Sequence, residues 1–317
     1  MVRPGQRAAA LVASLLLGGG AAATVSALSS CGPRADDYPL LRPDAGLPDG
    51  YPAYDAGLTN LIEDEPLEPW DTTGAGPLSG IFAVEAKVRA NVVVDLDSLQ
   101  LLRLRILQQG QQLRLRSQFC RLRMPSIQGV ATMRIPLALE MVMRSKGQQF
   151  EGAFLGPAEP PGSPPPFQPP PFLILLGAEL GDPMSDPLPT GDDPTSAVDE
   201  DGDGQPAVSL AVDSVLCGDV EQLYTALRTV LALSGQVDDS DRLSGVISPV
   251  LEQSVIGYSE PCLAAAANLE IEVLPGSTFR AVRVGDEWDI NDNGNITCGE
   301  IVVAAPTLFG GVWEQEP

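Results

Sequence analysis

The sequence predicts a mainly β fold, an antiparallel meander that forms a barrel or a sandwich and carries one or two helices. Between residues 78 and 155, apolar residues alternate with arginines in short runs, as in Leu102-Arg103-Leu104-Arg105-Ile106 and Leu113-Arg114-Leu115-Arg116. Alternation with a period of two is typical of strands that bury one face. The segment between these two runs, Gln108-Gln109-Gly110-Gln111, contains a glycine and favours a hairpin.

The region from residue 207 to the end of the chain also predicts strands, together with one helix. Residues 208–216 predict a strand, and residues 269–274 and 279–284 flank a Pro-Gly-Ser turn that favours a second hairpin. Residues 219–233 predict a helix because their apolar side chains recur at the spacing of one helical face: Val220, Leu223, Leu227, Val230 and Leu231. Whether the two β regions share one sheet stays open.

Composition divides the chain into five segments. Residues 1–30 read as a signal peptide, and residues 31–77 as a disordered acidic tether, because they combine low hydrophobicity with negative charge. Residues 78–155 form the first β region, and residues 156–206 form an insertion that is rich in proline and then in acidic residues. Residues 207–317 form the second β region with its helix and a C-terminal loop treated below.

Two features of the composition exclude several classes of function. The chain has no histidine, which removes Ser–His–Asp and Cys–His catalysis and histidine-ligated zinc. Its net charge of −23 disfavours nucleic-acid binding, because phosphates are repelled, and favours multivalent cations. No nucleophile elbow and no phosphate-binding glycine loop occurs in the sequence. We therefore predict that the protein is not an enzyme.

The start of the chain has the organisation of an export signal. Arg3 and Arg7 precede an uncharged, mostly apolar run over residues 8–17, and small residues follow. Leu28-Ser29-Ser30-Cys31 then resembles the lipobox of bacterial lipoproteins. The resemblance implies that Cys31 becomes the lipidated first residue of the mature protein, and Gly32 after it favours the outer membrane. The alternative is a simple secretory signal that is cleaved near Ala27.

The number of cysteines agrees with this prediction. Lipid on Cys31 leaves four further cysteines, which suit two disulfides in an oxidising compartment. Three pairings are open, as are one disulfide with two buried thiols and, with less support from the spacing, a four-cysteine zinc site. The disulfide candidates are Cys120, Cys217, Cys262 and Cys298.

Residues 289–300 resemble the twelve-residue calcium loop of EF-hand proteins. Calcium prefers about six to eight oxygen ligands, and this loop places oxygens or a glycine at each defining position. Gly294 stands at position six, where the loop turns sharply. The resemblance assigns the ligands at positions one, three, five, seven, nine and twelve to Asp289, Asn291, Asn293, Asn295 (through its backbone carbonyl), Thr297 and Glu300. The flanks depart from the family, because residues 279–284 read as strand and residues 301–303 are β-branched.

A second, weaker calcium candidate lies in the acidic insertion. Asp199-Glu200-Asp201-Gly202-Asp203-Gly204 resembles the first half of the same loop, with Asp199, Asp201 and Asp203 as ligands. Position twelve is Leu210, so the bidentate carboxylate of the family is missing. The alternative is a solvated acidic loop that binds nothing.

The first β region also carries a concentration of positive charge. Its alternation places Arg103, Arg105, Arg114 and Arg116 on one sheet face. This face is a candidate anion-binding surface for a polysaccharide or an acidic partner. The simpler interpretation, which we favour, is a solvated outer face.

Together these features predict an exported bacterial lipoprotein of the outer membrane, periplasmic or surface-exposed, that binds calcium. We expect a non-enzymatic binding or structural module whose calcium is structural. Its expected partners are the membrane, through the lipid, and a surface polysaccharide or another envelope protein. The alternative is an extracellular hydrolase that uses carboxylates and is stabilised by calcium.

Overall fold

The computed structural model describes residues 72–124, 126–127, 131–158, 160–215, 217–269, 271–290 and 294–313. The predicted signal peptide, nearly all of the tether and the lipidation residue Cys31 lie outside the described residues. Asn291 and Asn293 of the C-terminal loop also lie outside them.

The described chain is mainly antiparallel β structure with two α-helices, as the alternation in the sequence predicts. The helices are α1 (Leu137–Ser145) and α2 (Cys298–Phe309). The thirteen strands are β1 (Gly80–Asn91), β2 (Asp95–Gln109), β3 (Gln112–Arg123), β4 (Ser126–Ile127), β5 (Ala131–Arg134), β6 (Gly147–Phe154), β7 (Pro166–Phe167), β8 (Phe172–Leu176), β9 (Val208–Ser214), β10 (Val220–Asp239), β11 (Arg242–Tyr258), β12 (Glu272–Val273) and β13 (Thr278–Val284).

All of these strands belong to one sheet, so the two β regions of the sequence are joined. The order is β4-β5-β9-β10-β11-β13-β1-β2-β3-β6, with β12 beside β1 and with β7 and β8 beside β10. β13 makes the connection, because it pairs with β11 on one side and with β1 on the other. The predicted hairpin between β2 and β3 is present, and Gly110 in its turn has a φ of 63°.

The sheet curls, but its strand ladder does not close into a barrel. Within the described residues, β6 approaches β7 and β8 only through an isolated bridge, Leu155 to Phe167, and local side-chain contacts. Leu173 N–H donates to Gln148 Oε1 at 2.8 Å, and the rings of Phe150 and Phe172 lie 5.7 Å apart. The curl brings strands that are distant in the order into one core, which includes Leu104 of β2 and Val208 of β9.

A second, smaller core lies on the opposite face of β1, β2 and β13, under α2. Leu101 and Ala83 of the sheet pack there against Ile301, Ala305 and Phe309 of the helix. Two side chains of the sheet fasten the end of α2. Arg280 Nη2 donates to the Phe309 carbonyl at 2.6 Å, and Glu85 Oε2 accepts from Trp313 Nε1 at 2.6 Å.

The predicted helix at residues 219–233 is wrong, because this segment lies in strand β10. β10 pairs with β11 on one edge and with β7, β8 and β9 on the other. A strand that is paired on both edges and covered on both faces carries apolar residues on both sides, so alternation is lost. Its apolar spacing therefore imitates a helical face.

Three further local predictions differ from the structure. Helix α1 lies in an apolar stretch that read as part of the β region, and α2 contains the β-branched residues 301–303. Residues 269–274 and 279–284 do not form a hairpin with each other, because β12 and β13 both pair with β1. Residues 275–277 therefore connect two segments along the same edge of β1.

Candidate metal sites in two acidic loops

The loop over residues 199–204 precedes β9 and is attached to the rest of the fold through Glu200. Lys146, directly after α1, places its Nζ 2.6 Å and 2.7 Å from the two carboxylate oxygens of Glu200. The same Nζ donates to the Leu175 carbonyl at 2.7 Å, and Gly177 N–H donates to Glu200 Oε2 at 3.2 Å. Glu200 thus attaches the loop to Lys146 and to the segment after β8, and it does not belong to the cluster that the neighbouring aspartates form.

Three aspartates of this loop converge on one point. One carboxylate oxygen from each of Asp199, Asp201 and Asp203 lies within 4.8 Å of the other two. The three aspartates occupy every second position of the loop, so the turn brings their carboxylates together. The side chain of Glu200, between the first two, instead contacts Lys146. The structure therefore brings together the three aspartates of the weaker sequence candidate.

Backbone N–H groups hold the two outer carboxylates in place. Asp199 accepts from Gly202 N–H at 2.7 Å and from Gly204 N–H at 2.8 Å. Asp203 accepts from Gln205 N–H at 2.8 Å and from the Ser209 hydroxyl at 2.5 Å. Both glycines have positive φ angles, 72° and 81°, which explains why glycine occupies these positions.

The central carboxylate, Asp201, lies in surroundings that disfavour its charged form. Only 7% of its surface is exposed, although Oδ2 accepts from Ser209 N–H at 2.9 Å. Burial raises the pKa of Asp201 to about 6, and the neighbouring charge of Asp203 adds to the increase. Burial also raises the pKa of Tyr224, again with a contribution from Asp203. Excess negative charge is therefore concentrated here, and a bound cation would relieve it.

The donor set of this loop suits a hard cation but is incomplete by itself. Three convergent carboxylates match the oxygen preference of calcium, which takes about six to eight ligands. Leu210 at position twelve is buried within β9 and offers no side-chain oxygen. Asp213, the next acidic residue along the chain, does not replace it, because it lies on β9 four residues beyond Ser209, about 13 Å along the strand. The remaining ligands would be backbone carbonyls or water.

The C-terminal loop begins after a short 3-10 helix, Asp286–Trp288, and leads into α2. Gly294 N–H donates to Asp289 Oδ2 at 2.7 Å, which closes the first half of the loop. Gly294 has a φ of 76°, as expected for the sharp turn at position six. The strand that the sequence predicts before the loop is present as β13, which ends at Val284, and the 3-10 helix separates it from Asp289. After the loop, the β-branched residues 301–303 are helical instead of extended.

Glu300 lies at the base of this loop and is 0% exposed. Its Oε1 accepts from Ile290 N–H at 2.7 Å, which places the carboxylate beside the residue that follows Asp289. Its Oε2 accepts from Thr297 N–H at 2.7 Å and from the Thr297 hydroxyl at 3.0 Å. Thr297 Oγ1 in turn accepts from Glu300 N–H, so the two residues form a capping box for α2.

The described part of the C-terminal loop contains both carboxylates that the resemblance to EF-hand proteins assigns as ligands. Asp289 and Glu300 stand at opposite ends of the loop, and Glu300 accepts a hydrogen bond from the N–H of Ile290, the residue after Asp289. A carboxylate has about four lone-pair sites, so accepting hydrogen bonds is compatible with binding a cation. The side-chain Oδ1 of Asn295 accepts a hydrogen bond from Arg103 Nη2 at 2.6 Å.

The four disulfide candidates form two disulfides, as predicted, and the structure selects the pairing. Cys120 of β3 bonds to Cys298 at the start of α2, and Cys217 bonds to Cys262. The first bond joins residues 178 positions apart and attaches the C-terminal loop to the sheet. Because these four cysteines pair with one another, none of them is left for Cys31.

The candidate anion-binding face is smaller than the sequence suggests. Arg103 is only 1% exposed and donates to Gln118 Oε1 at 2.6 Å as well as to Asn295, so it does not belong to an accessible surface. Arg105, Arg114 and Arg116 are partly exposed. Arg105 and Arg116 lie directly opposite each other on β2 and β3. Burial lowers the pKa of Arg105, and the charge of Arg116 lowers it further.

Sequence reasoning missed the residues that support the two loops. Ser209, Lys146 and Arg103 carry no motif, and their roles depend on contacts between distant strands. A signal was available only for the capping box, because Thr297-Cys298-Gly299-Glu300 has the Thr-x-x-Glu spacing of a helix start.

No protein-family model, no curated protein and no solved structure matches this chain. Among the described residues, no helix is both long enough and apolar enough to span a membrane.

Proposed function

We propose that this protein is a calcium-binding lipoprotein of the bacterial cell envelope, whose β domain acts as a non-enzymatic binding or structural module. The observation that carries the proposal is the convergence of Asp199, Asp201 and Asp203 within 4.8 Å, in a loop held by backbone N–H groups. The C-terminal loop supports it independently, since its sequence has an EF-hand ligand at each defining position.

The calcium would act on the fold itself. Both loops attach irregular segments to the sheet, the first in front of β9 and the second in front of α2. Neutralising clustered carboxylates stabilises the folded chain, because the unfolded chain has no preformed site. In this proposal the carboxylates of both loops have a structural role: Asp201, Asp203, Asp289 and Glu300. The alternative is a hydrolase that uses carboxylates, and no specific observation favours it.

Calcium titration by calorimetry tests the proposal. We expect two binding events per full-length chain, and each should disappear in one single-residue variant. Asp203→Asn should remove the event of the first loop and Glu300→Gln that of the second, because each replaces a charged ligand with an isosteric amide. Asp97→Asn is the matched control, since Asp97 forms a surface ion pair with Lys87. Absence of calcium heat in the wild-type chain would contradict the proposal.

Lipid attachment is proposed on separate grounds. Cys31 follows a lipobox-like sequence, and the other four cysteines form two disulfides, which suits an oxidising compartment. Several acyl chains on one residue give stable anchoring, whereas one chain gives marginal binding.

Membrane fractionation of a bacterium that expresses the full chain tests the anchor. We expect the wild-type protein to sediment with membranes and to incorporate labelled fatty acid. The Cys31→Ser variant should lose the label and shift to the soluble or secreted fraction. A variant that stays in the membrane fraction without label would show that another feature anchors the chain.

A further inference from the structure

We propose that the Cys217–Cys262 disulfide is redox-sensitive and controls the attachment of the 3-10 helix Pro261–Asn268. A dithiol reductant opens this bond while the Cys120–Cys298 disulfide stays intact, and opening releases the helix from one end of the larger core. The Cys217–Cys262 bond belongs to neither calcium loop, so its sensitivity is independent of the proposed function.

The two disulfides differ in their access to solvent. Cys120 and Cys298 are both 0% exposed and lie within the smaller core. Cys217 and Cys262 are only partly buried, and the residue after Cys217 and the residue before Cys262 are exposed. Thiol–disulfide exchange requires a thiolate to reach one of the sulfur atoms, so its rate depends on access. A reductant therefore reaches the Cys217–Cys262 bond in the folded protein, whereas the other bond reacts only after the fold opens around it.

The Cys217–Cys262 bond joins the turn before β10 to the segment after β11. Cys217 lies between β9 and β10, and its N–H donates to the Ser214 carbonyl at 3.0 Å. Cys262 is the second residue of the 3-10 helix, which follows β11 and packs against β10 and β11. The bond therefore holds the helix near the start of β10, at the end of the β10–β11 hairpin that is distant from its turn.

The helix packs on an end of the larger core that strands cover only in part. Leu263 of this helix is 2% exposed and belongs to that core. Among the described residues, no strand pairs with β11 beyond Val246 on the edge opposite β10, and no residue of β11 after Ile247 is buried. Leu251 and Val255 of this half pack against the core but stay partly exposed. Release of the helix therefore exposes Leu263 together with more of the apolar surface beside it.

The exchange consumes one molecule of a reductant that carries two thiols. One thiolate of the reductant attacks the sulfur of Cys217 or Cys262, which forms a mixed disulfide and releases the other cysteine as a thiolate. The second thiol of the reductant then attacks the sulfur through which the reductant is bound, and the second cysteine is released. The protein gains two electrons and two protons as two thiols, and the reductant leaves as a disulfide.

The opening is local because the strands beside the helix keep their own hydrogen bonds. Ser259 N–H donates to the Gln222 carbonyl at 2.9 Å, and Gln222 N–H donates to the Ser259 hydroxyl at 2.9 Å. The chain is thus attached to β10 up to Ser259 without the disulfide. Beyond this residue, loss of the covalent bond makes local opening of the helix more frequent.

Alkylation of the folded, full-length chain in dithiothreitol measures both bonds in one molecule. Aliquots are quenched with excess iodoacetamide in denaturant, and mass spectrometry of the peptides identifies the labelled cysteines. We expect Cys217 and Cys262 to become labelled at least about 10-fold faster than Cys120 and Cys298. When the chain is unfolded in guanidinium chloride before reduction, the rates should become similar, because burial no longer separates the two bonds. Equal rates in the folded protein would overturn the inference.

Hydrogen exchange of the selectively reduced protein tests the release of the helix. The N–H of Leu263 donates to the Glu260 carbonyl at 3.1 Å, and we expect it to exchange at least about 10-fold faster after reduction. Amides of β2 and β3 should exchange as before, because these strands lie away from the bond. The variant Cys217→Ser, Cys262→Ser should match the reduced protein and should not respond to further reductant. Unchanged exchange at Leu263, or an equal increase throughout β2 and β3, would show that the bond does not control this helix.

Discussion

Replacing Gly245 with alanine is expected to lower the free energy of unfolding by about 3 kcal/mol. Gly245 of β11 lies directly opposite Gly235 of β10. A Cβ atom on Gly245 would lie 2.4 Å from the Ser234 carbonyl oxygen and 2.4 Å from the Gly235 Cα. Both are backbone atoms, which cannot move aside without separating the two longest strands of the sheet.

Aromatic rings use the space that these glycines leave. Phe167 pairs with Gly235, and Phe279 pairs with Gly245, so the four residues form one row across β7, β10, β11 and β13. The ring centroids of Phe167 and Phe279 lie 6.5 Å apart, and both rings are buried. Because Gly245 lies under this aromatic contact, a larger residue would disturb the main core as well as the ladder.

Denaturant unfolding of Gly245→Ala and a control in the same strand measures the effect. In Gly257→Ala, the added Cβ would meet only the ring of Tyr224, at 3.2 Å, and a side chain can shift. We expect the control to lose less than about 1 kcal/mol. Equal losses in the two variants would show that the close approach at Gly245 has no special importance.

Stability without metal is expected to fall as the pH rises from about 4 to about 6, because of Asp201. Burial raises the pKa of Asp201 to about 6, so the folded chain holds this proton over a range in which the unfolded chain has released it. The slope of stability with pH is then negative. A difference of about 2 pKa units corresponds to at most about 3 kcal/mol, lost fully above the folded pKa.

Calcium should remove most of this loss, because the cation binds the ionised carboxylates. The measurement is the free energy of unfolding between pH 4 and 7.5, with calcium and with chelator, for the wild type and for Asp201→Asn. The variant should lack the negative contribution of Asp201 in chelator. The reverse result, an unchanged pH slope in Asp201→Asn, would place the titrating group elsewhere.

The sequence predicts the fold class because half-buried strands such as β2 and β3 keep a simple alternation. It does not predict β10, because neighbouring residues of this strand, such as Val230 and Leu231, are both buried, so the alternation of apolar and polar residues is lost. The positions of α1 and α2 are also missed. In α2, packing on the sheet and the Thr297–Glu300 capping box outweigh the strand preference of Ile301 and Val302.

For the candidate sites too, features that depend on neighbouring residues could be predicted, and features that depend on contacts between residues far apart in the sequence could not. Asp199, Asp201 and Asp203 could be selected from the sequence because their spacing in one short turn determines their geometry. The disulfide pairing and the burial of Arg103 could not be predicted, because they depend on contacts between residues up to 192 positions apart. Alternation placed Arg103 correctly on the face with Arg105, and only the packing of the C-terminal loop shows that this part of the face is covered.

Thermal unfolding of the full-length chain in calcium, in magnesium and in chelator tests the central claim most directly. At a free calcium concentration about 100 times the Kd, one site adds about 2.7 kcal/mol of stability. The two proposed sites together therefore add about 5 kcal/mol, so for a domain of this size we expect the Tm to rise by about 10–20 °C in calcium, and the double variant Asp203→Asn, Glu300→Gln should lose this increase. Magnesium should give a smaller change, because it requires a more regular set of ligands. Superimposable melting curves of the wild type in calcium and in chelator would contradict the claim that these loops are calcium sites.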